Sequence, residues 1–321
     1  MLQDSWLNGD RLLGPNSPLP PDAPFTPAMA EEWGVSRNRL SVMHRQGLVR
    51  QLVRGVYAAS QCSDHVALRA SALALVVPES AVVTDRTAAW LHGAEVFTRG
   101  ERASMPVQCF EARAGHRLRR GRVDSGERAL IRRDIVEIEG VRATSALRTT
   151  CDLARLLWRF DALGAIDAMI RVGVSRDQLV AELPRFRGYR GIRQARGLAP
   201  LGDGRAESMP ESALRLHWIE AGLPTPQLQI WVRFGGVATY RLDVGDEGIG
   251  YAAEYDGVEF HSGPTRTVRD QVRRRRLHDD AGWVVDVFTN RDVYAPNPKA
   301  PEMLRAGYYR ARRTVGVRGW L

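Results

Sequence analysis

The sequence predicts a mixed α+β chain of several domains, and three observations support this fold class. Residues 26–62 fit the order helix, turn, helix and hairpin, and residues 63–199 alternate helical stretches with short strands in a small α/β region. Residues 208–321 fit helix, three antiparallel strands, helix and strand, written αβββαβ, followed by a C-terminal helix. The prolines and missing periodicity of residues 1–25 predict an extended arm, and residues 200–207 predict a linker.

Composition and charge limit the classes of partner. The net charge of +9 favours a polyanion such as DNA or RNA. Lys299 is the only lysine, so the basic charge is almost all arginine, an excess that genome composition alone can produce. Three scattered cysteines fit neither a disulfide framework nor a zinc site. Because the sequence also lacks a signal peptide and a long apolar run, we predict a cytoplasmic protein without a membrane segment.

The first folded part, residues 26–62, predicts a winged helix-turn-helix. TPAMAEEWG is typical of a short helix that ends at Gly34, and Ser36 is a suitable N-cap for RNRLSVMHRQ. LVRQLVRGVYAA predicts two strands around a turn at Arg54-Gly55. A recognition helix and a wing both approach phosphates, although a solvated basic face is the alternative. The predicted nucleic-acid contacts here are Arg37, Asn38, Arg39, Arg45, Arg50 and Arg54.

The middle part, residues 63–199, has fewer distinctive signals. Residues 64–77 and 84–93 predict apolar helices that pack on the winged helix. Residues 105–142 predict a small sheet with a basic loop from 117 to 122 between its strands. A cap at Thr144 or Ser145 then begins a further series of helices.

Two carboxylates of the C-terminal part are predicted to share one face of a hairpin. A turn at GDEG (245–248) would place Asp243 opposite Ala252 and make Glu254 its diagonal neighbour, about 7–8 Å away at Cα. Two carboxylates at this range suit a hard divalent cation with oxygen ligands. A slip of one residue would send the two side chains to opposite faces. The structural alternative is a solvated strand end.

This arrangement resembles the PD-(D/E)XK nuclease superfamily, and more narrowly proteins related to very-short-patch repair endonucleases. The resemblance rests on ESALRLHWIEAGLPTPQLQ (211–229), RLDV (241–244), EYDGVEFH (254–261) and GWVVDVFT (282–289). It implies a restriction-endonuclease-like fold in which Mg²⁺ or Mn²⁺ supports phosphodiester hydrolysis. The implied metal ligands are Asp243, Glu254 and the Tyr255 backbone carbonyl, and the implied catalytic residues are Asp243, Glu254, Glu211 and His261.

The chain departs from this family's pattern at one position. The pattern requires a lysine two residues after Glu254, where this chain has Asp256. Arg241 is a candidate substitute, but an arginine stays protonated and cannot act as a base. Glu211 also has a structural alternative, because it can complete a helix-capping box with Ser208. The resemblance therefore supports the fold more strongly than catalysis.

The arginine-rich helix TRTVRDQVRRRRLHDDAG predicts a second nucleic-acid contact. Residues three or four apart share one helix face, whereas consecutive residues point around the helix. The arginines predicted to face a phosphate backbone are Arg269, Arg273 and Arg276.

The N-terminal two-thirds resembles AbiEi-type antitoxins of type IV toxin–antitoxin systems. The resemblance rests on SRNRLSVMHRQGLVRQLVRGVYAAS (36–60), TDRTAAWLHG (84–93) and SALRTTCDLAR (145–155). It implies that the winged helix binds operator DNA and represses its own operon, while the remainder counters a nucleotidyltransferase toxin. A homodimer on a two-fold DNA site would fit this role.

Two functions remain open from the sequence. One is a DNA-binding, Mg²⁺-dependent endonuclease of defence or toxin–antitoxin biology, with RNA as a further possible substrate. The other is a non-catalytic, antitoxin-like autorepressor whose nuclease fold has degenerated.

Overall fold

The computed structural model describes Trp6 and residues 12–97, 106–111, 123–124, 129–257 and 264–318. The chain divides into two compact units, Met1–Leu153 and Ala154–Leu321, each with its own helices and sheet. The mixed α+β class is therefore confirmed, while the identities of the domains stay predictions. Within the described part, no helix combines the length and apolar character that a membrane span requires.

The first unit begins with the predicted helix-turn-helix and hairpin. Its elements are α1 (Pro27–Glu32), α2 (Arg37–Arg45), β1 (Val49–Val53) and β2 (Val56–Ala59). The Ser36 hydroxyl accepts the Arg39 backbone N–H at 3.4 Å and so caps α2 as predicted. Gly55 adopts φ 83° in the turn between the strands, a conformation that glycine tolerates best.

Residues 12–25, within the segment predicted as an extended arm, pack against this helix-turn-helix. Leu13, Leu19 and Phe25 are buried in one core with Met43. Phe25 and Tyr57 exchange two backbone hydrogen bonds of 2.8 Å, which form an isolated β-bridge. These apolar residues are irregularly spaced, so periodicity could not reveal their burial.

The rest of the first unit is a five-stranded sheet with flanking helices. Its elements are α3 (Val66–Ala74), β3 (Ala81–Val83), α4 (Asp85–Leu91), β4 (Val107–Glu111), β5 (Val123–Asp124), β6 (Ile135–Ile138), β7 (Val141–Thr144) and α5 (Ala146–Leu156). The strand order is β5-β4-β3-β7-β6. Leu52 of the hairpin shares a core with Leu73 and Trp90, which confirms the predicted packing of the apolar helices on the N-terminal part. The predicted basic loop 117–122 lies outside the described residues.

A buried arginine joins α5 to the segment that precedes β6. The Arg148 guanidinium donates to Asp152 at 2.9 Å, to Asp134 at 2.7 Å and to the Ala129 carbonyl at 3.0 Å. All three charged side chains are at most 2% exposed. One buried cation therefore pairs with two buried carboxylates.

The second unit begins with helices that enclose the predicted linker. These are α6 (Arg159–Arg171), α7 (Arg176–Glu182), α8 (Ile192–Leu198) and α9 (Met209–Glu220). Asp167 accepts the Asp203 backbone N–H at 2.7 Å and an Arg215 N–H at 2.7 Å. Arg215 also donates to the Leu201 carbonyl at 2.6 Å. Residues 200–207 are consequently fixed between α6 and α9 and do not form an open linker.

The sheet of the second unit follows the predicted αβββαβ order, with α9 as its first helix. Its other elements are β8 (Gln227–Phe234), β9 (Val237–Asp246), β10 (Tyr251–Tyr255), α10 (Pro264–Asp279), β11 (Val284–Phe288), α11 (Asn290–Tyr294) and α12 (Ala300–Arg318). The strand order is β11-β10-β9-β8, and β10 runs antiparallel to β9 but parallel to β11. The neighbouring strands β9 and β10 hold the two predicted carboxylates side by side.

The β9–β10 register differs by two residues from the predicted register. Ala252 pairs with Gly245, so continuing the ladder places Asp243 directly across from Glu254, not from Ala252. The register differs because the turn consists of residues 247–250, two residues later than the predicted turn. Gly250, its last residue, adopts φ 64°. Because the shift is even, both carboxylates keep the shared face that the prediction required.

Candidate functional site

The neighbouring strands β9 and β10 and the first turn of α9 bring three predicted carboxylates into one electrostatic cluster. Asp243 accepts the Tyr255 backbone N–H at 3.0 Å, and Glu254 is only 8% exposed. Burial, followed by the negative charge of Glu211, raises the pKa of Asp243 from 3.8 to about 7. Glu254 adds to this rise, while the Tyr255 N–H and Arg273 oppose it. Asp243 is therefore close to half protonated near neutral pH.

Arg273 occupies the Glu254 side of this cluster. Its guanidinium donates to both carboxylate oxygens of Glu254, with Nη1 to Oε2 at 2.7 Å. It also donates to the Arg241 carbonyl at 3.4 Å and lies 5.5 Å from the centre of the Tyr240 ring. The sequence predicts Arg273 as a phosphate contact, but in this structure its charge neutralises the Glu254 carboxylate inside the unit. Arg269 lies in α10, and Arg276 is exposed.

Glu211 combines its place in the cluster with helix capping. One carboxylate oxygen accepts the Ser208 hydroxyl at 2.9 Å, and the Ser208 oxygen accepts the Glu211 backbone N–H at 3.3 Å. The other oxygen accepts the Glu207 N–H at 2.9 Å and the Gln229 side-chain amide at 3.0 Å. Ser208 thus caps α9 as the structural alternative for Glu211 required, but the Glu211 carboxylate accepts the Ser208 hydroxyl and the Glu207 N–H where a capping box would use the Ser208 N–H.

Gln229 is a member of this neighbourhood that the sequence analysis missed. Its backbone has φ 54°, which is uncommon outside glycine, and its buried Oε1 atom has no hydrogen-bond partner among the described residues. The only sequence signal for a functional role of Gln229 is its place as a polar residue between the apolar Leu228 and Ile230. An ordinary alternating strand explains this pattern equally well.

The cluster does not form a ready-made metal site. Across the described ranges, no group of three or more His, Cys, Asp and Glu side chains has an arrangement that could hold a metal ion. Glu254 already receives the Arg273 guanidinium, and Asp243 receives the Tyr255 N–H. His261 lies outside the described residues. As arranged, this donor set does not fit the predicted Mg²⁺ or Mn²⁺, and the metal ligands stay a prediction.

Four of the six predicted nucleic-acid contacts in the N-terminal part are exposed to solvent: Arg37, Asn38, Arg45 and Arg54. Arg37 pairs with Glu31 at 3.2 Å, yet its side chain is 74% exposed. Arg45 lies in the last turn of α2, and Arg54 lies in the turn of the hairpin. The surface formed by Arg37, Asn38, Arg45 and Arg54, on α2 and the β1–β2 turn, is called the α2 surface below.

The other two predicted contacts are engaged within the same unit. The Arg39 guanidinium carbon lies 3.9 Å from the centre of the Trp6 ring. Arg50 donates to the Cys62 carbonyl at 2.7 Å. Both arginines therefore contribute to packing in this structure, which sequence spacing alone could not distinguish from exposure.

Comparison with known proteins gives two findings. Residues 80–201 match the family of the AbiEi antitoxin C-terminal domain. Two relatives from Mycobacterium tuberculosis, the uncharacterized proteins Rv2248 (strain ATCC 25618 / H37Rv) and MT2308 (strain CDC 1551 / Oshkosh), are each 32% identical over 269 residues. These alignments cover 81% of this chain and 92% of each relative. The antitoxin resemblance is thereby confirmed for residues 80–201, whereas neither finding supports the nuclease resemblance.

Proposed function

We propose that this chain, which belongs to the same family as the uncharacterized protein Rv2248 of Mycobacterium tuberculosis, is an antitoxin-type DNA-binding regulator. The observation that carries the proposal is the match of residues 80–201 to the AbiEi antitoxin C-terminal domain. In this role the chain binds operator DNA, represses its own operon and counters a nucleotidyltransferase toxin. The non-catalytic function left open by the sequence is thus the better supported of the two.

The α2 surface supplies the chemistry for the DNA-binding half of this proposal. Leu40 and Met43 are buried and hold α2 against its unit, which leaves Arg37 and Arg45 toward solvent. Arginines of this kind neutralise phosphates and release counterions, and a wing residue such as Arg54 reaches the adjacent backbone. The exposed pair of Arg37 with Glu31 contributes little stability, so a phosphate can replace the carboxylate.

We expect the triple substitution of Arg37, Arg45 and Arg54 to glutamine to weaken duplex binding by about tenfold or more at low salt, because phosphate contacts supply most of the affinity. Each lost contact should also reduce the slope of log K against log salt by about 0.9. Fluorescence anisotropy of the full chain with a labelled duplex from its own upstream region measures both quantities.

A matched control removes the same charge elsewhere. Arg187, Arg193 and Arg196 are exposed in the second unit, and their triple substitution to glutamine should leave duplex affinity within twofold of the original, a margin of about 0.4 kcal/mol. Equal losses in both triple variants would show that only net charge matters. Equal affinity for the upstream duplex and a scrambled duplex would contradict a repressor.

Metal-dependent phosphodiester hydrolysis is the second candidate function. It is favoured by one observation: the carboxylate of Asp243 interacts electrostatically with those of Glu211 and Glu254 in an αβββαβ unit. The arrangement of Arg273 on Glu254 counts against it.

From the antitoxin proposal we expect no cleavage of plasmid, linear duplex, single-stranded DNA or RNA with Mg²⁺ or Mn²⁺, because the carboxylates already have partners within the unit. Asp243→Ala should then behave like the original chain in a gel assay of strand cleavage. Cleavage that needs the metal, is lost in Asp243→Ala and persists in Asp256→Ala would establish the nuclease instead.

A further inference from the structure

Strand β8 forms one edge of its sheet and presents a large aromatic side chain to solvent. Trp231 lies in the middle of this strand and is 51% exposed. Its neighbours Ile230 and Val232 are only 7% and 5% exposed, as the alternation of a strand requires. The indole therefore belongs to the outer surface and not to the core.

Two arginines flank this indole on the outer face of the sheet. Arg241 is the register partner of Trp231 on β9, and its guanidinium carbon lies 5.5 Å from the centre of the indole ring. Arg233 is exposed two residues along β8 and donates to the Gly236 carbonyl at 3.1 Å. Trp231, Arg233 and Arg241 are called the Trp231 surface below.

Among the described residues, one acidic side chain forms an ion pair with this surface. Glu207 pairs with Arg241 at 2.6 Å, and the two side chains are 50% and 39% exposed. Because exposed ion pairs contribute little stability, a multiply charged anion can displace this carboxylate. Residues 227–242 themselves contain Arg233 and Arg241 and no acidic residue.

We infer that the Trp231 surface binds single-stranded nucleic acid. An exposed indole stacks on the face of an unpaired base, and the flanking guanidinium groups pair with the phosphates on either side. In a duplex the base faces are covered by neighbouring base pairs, so this mode selects single strands. The inference goes beyond the proposed function, because it uses other residues than the α2 surface and a different form of nucleic acid.

The test measures the anisotropy of a labelled mixed-sequence single strand, and of the same sequence as a duplex, with the full chain. Trp231→Ala should weaken single-strand binding by about fivefold or more, because stacking on one aromatic residue commonly contributes that much. Trp231→Phe should retain most of the affinity, since phenylalanine also offers an aromatic face. Duplex binding should stay unchanged in both variants.

Two controls isolate the contribution of the Trp231 indole. Trp158→Ala removes an indole of nearly the same exposure, 49%, from the same unit and should leave single-strand binding unchanged. The Arg37, Arg45 and Arg54 variant should lose duplex binding but keep the Trp231-dependent single-strand binding, so the two proposals can fail independently. Thermal melting of each variant identifies any loss that comes from unfolding.

Two results would overturn the inference. One is equal single-strand affinity for Trp231→Ala and the original chain; if self-association in size-exclusion chromatography is altered as well, the surface is a contact between chains. The other is an equal effect of Trp231→Ala on single strands and duplexes.

Discussion

Replacing Arg148 by alanine is expected to lower the free energy of unfolding by about 3–5 kcal/mol, because breaking a buried ion pair by removing one partner is strongly destabilising. Asp134 and Asp152 are each at most 2% exposed, and both would lose the guanidinium that pairs with them. Urea denaturation of the full chain, followed by circular dichroism, measures the loss as a shift of the midpoint.

The loss of stability in Arg148→Ala should depend on the burial of the arginine and not on its charge alone. Arg132→Ala removes an exposed arginine close to Asp134 in the same segment, and we expect a change within about 0.5 kcal/mol. A similarly small change for Arg148→Ala would mean that the carboxylates find other partners or protonate at no cost. Since Arg148 lies inside residues 80–201, destabilisation here should also reduce any interaction made by the antitoxin-like domain.

Replacing Asp243 by asparagine is expected to stabilise the fold by about 4 kcal/mol at about pH 8, since one pKa unit corresponds to about 1.36 kcal/mol. The pKa of Asp243 is raised from 3.8 to about 7, so the folded chain retains a proton that the unfolded chain has already released. Stability therefore falls as pH rises between about 4 and about 7. Asparagine cannot ionise, and its side-chain oxygen can still accept the Tyr255 N–H.

The pH dependence distinguishes this effect from a general stabilising substitution. At about pH 4 the gain should fall below about 1 kcal/mol, because both states then carry the proton for much of the time. Urea midpoints measured across this pH range, with a chelator present, test the expectation. Asp177→Asn is the control, because its side chain is 94% exposed and its replacement should change stability little at any pH. A gain for Asp243→Asn that is the same at both ends of the range would contradict the ionisation argument.

Local signals predicted much of the fold. The serines at 36 and 208 cap α2 and α9 as their positions suggested, since a cap needs only its own helix. Gly235-Gly236 between two alternating stretches identified the β8–β9 hairpin for the same reason. The αβββαβ order follows from such local signals taken in sequence.

Features set by distant parts of the chain could not be predicted. The pairing of Arg273 with Glu254 depends on where α10 crosses the sheet, which no spacing in the sequence encodes. The β9–β10 register depended on whether the turn ended at Gly248 or Gly250, and only the folded turn decides this. Strand β3 has just three residues and is a strand because β4 and β7 flank it.

The parallel pairing of β10 with β11 has a consequence during synthesis of the chain. One side of β10 can pair with β9 as soon as both have emerged from the ribosome, but its other side must await residues 284–288. Until then a strand with Tyr251, Ala252 and Ala253, all fully buried in the finished fold, exposes an unpaired apolar edge. Such an edge readily pairs with another nascent chain. Translation that pauses after β10 should therefore favour aggregation, and rapid delivery of α10 and β11 should protect the chain from it.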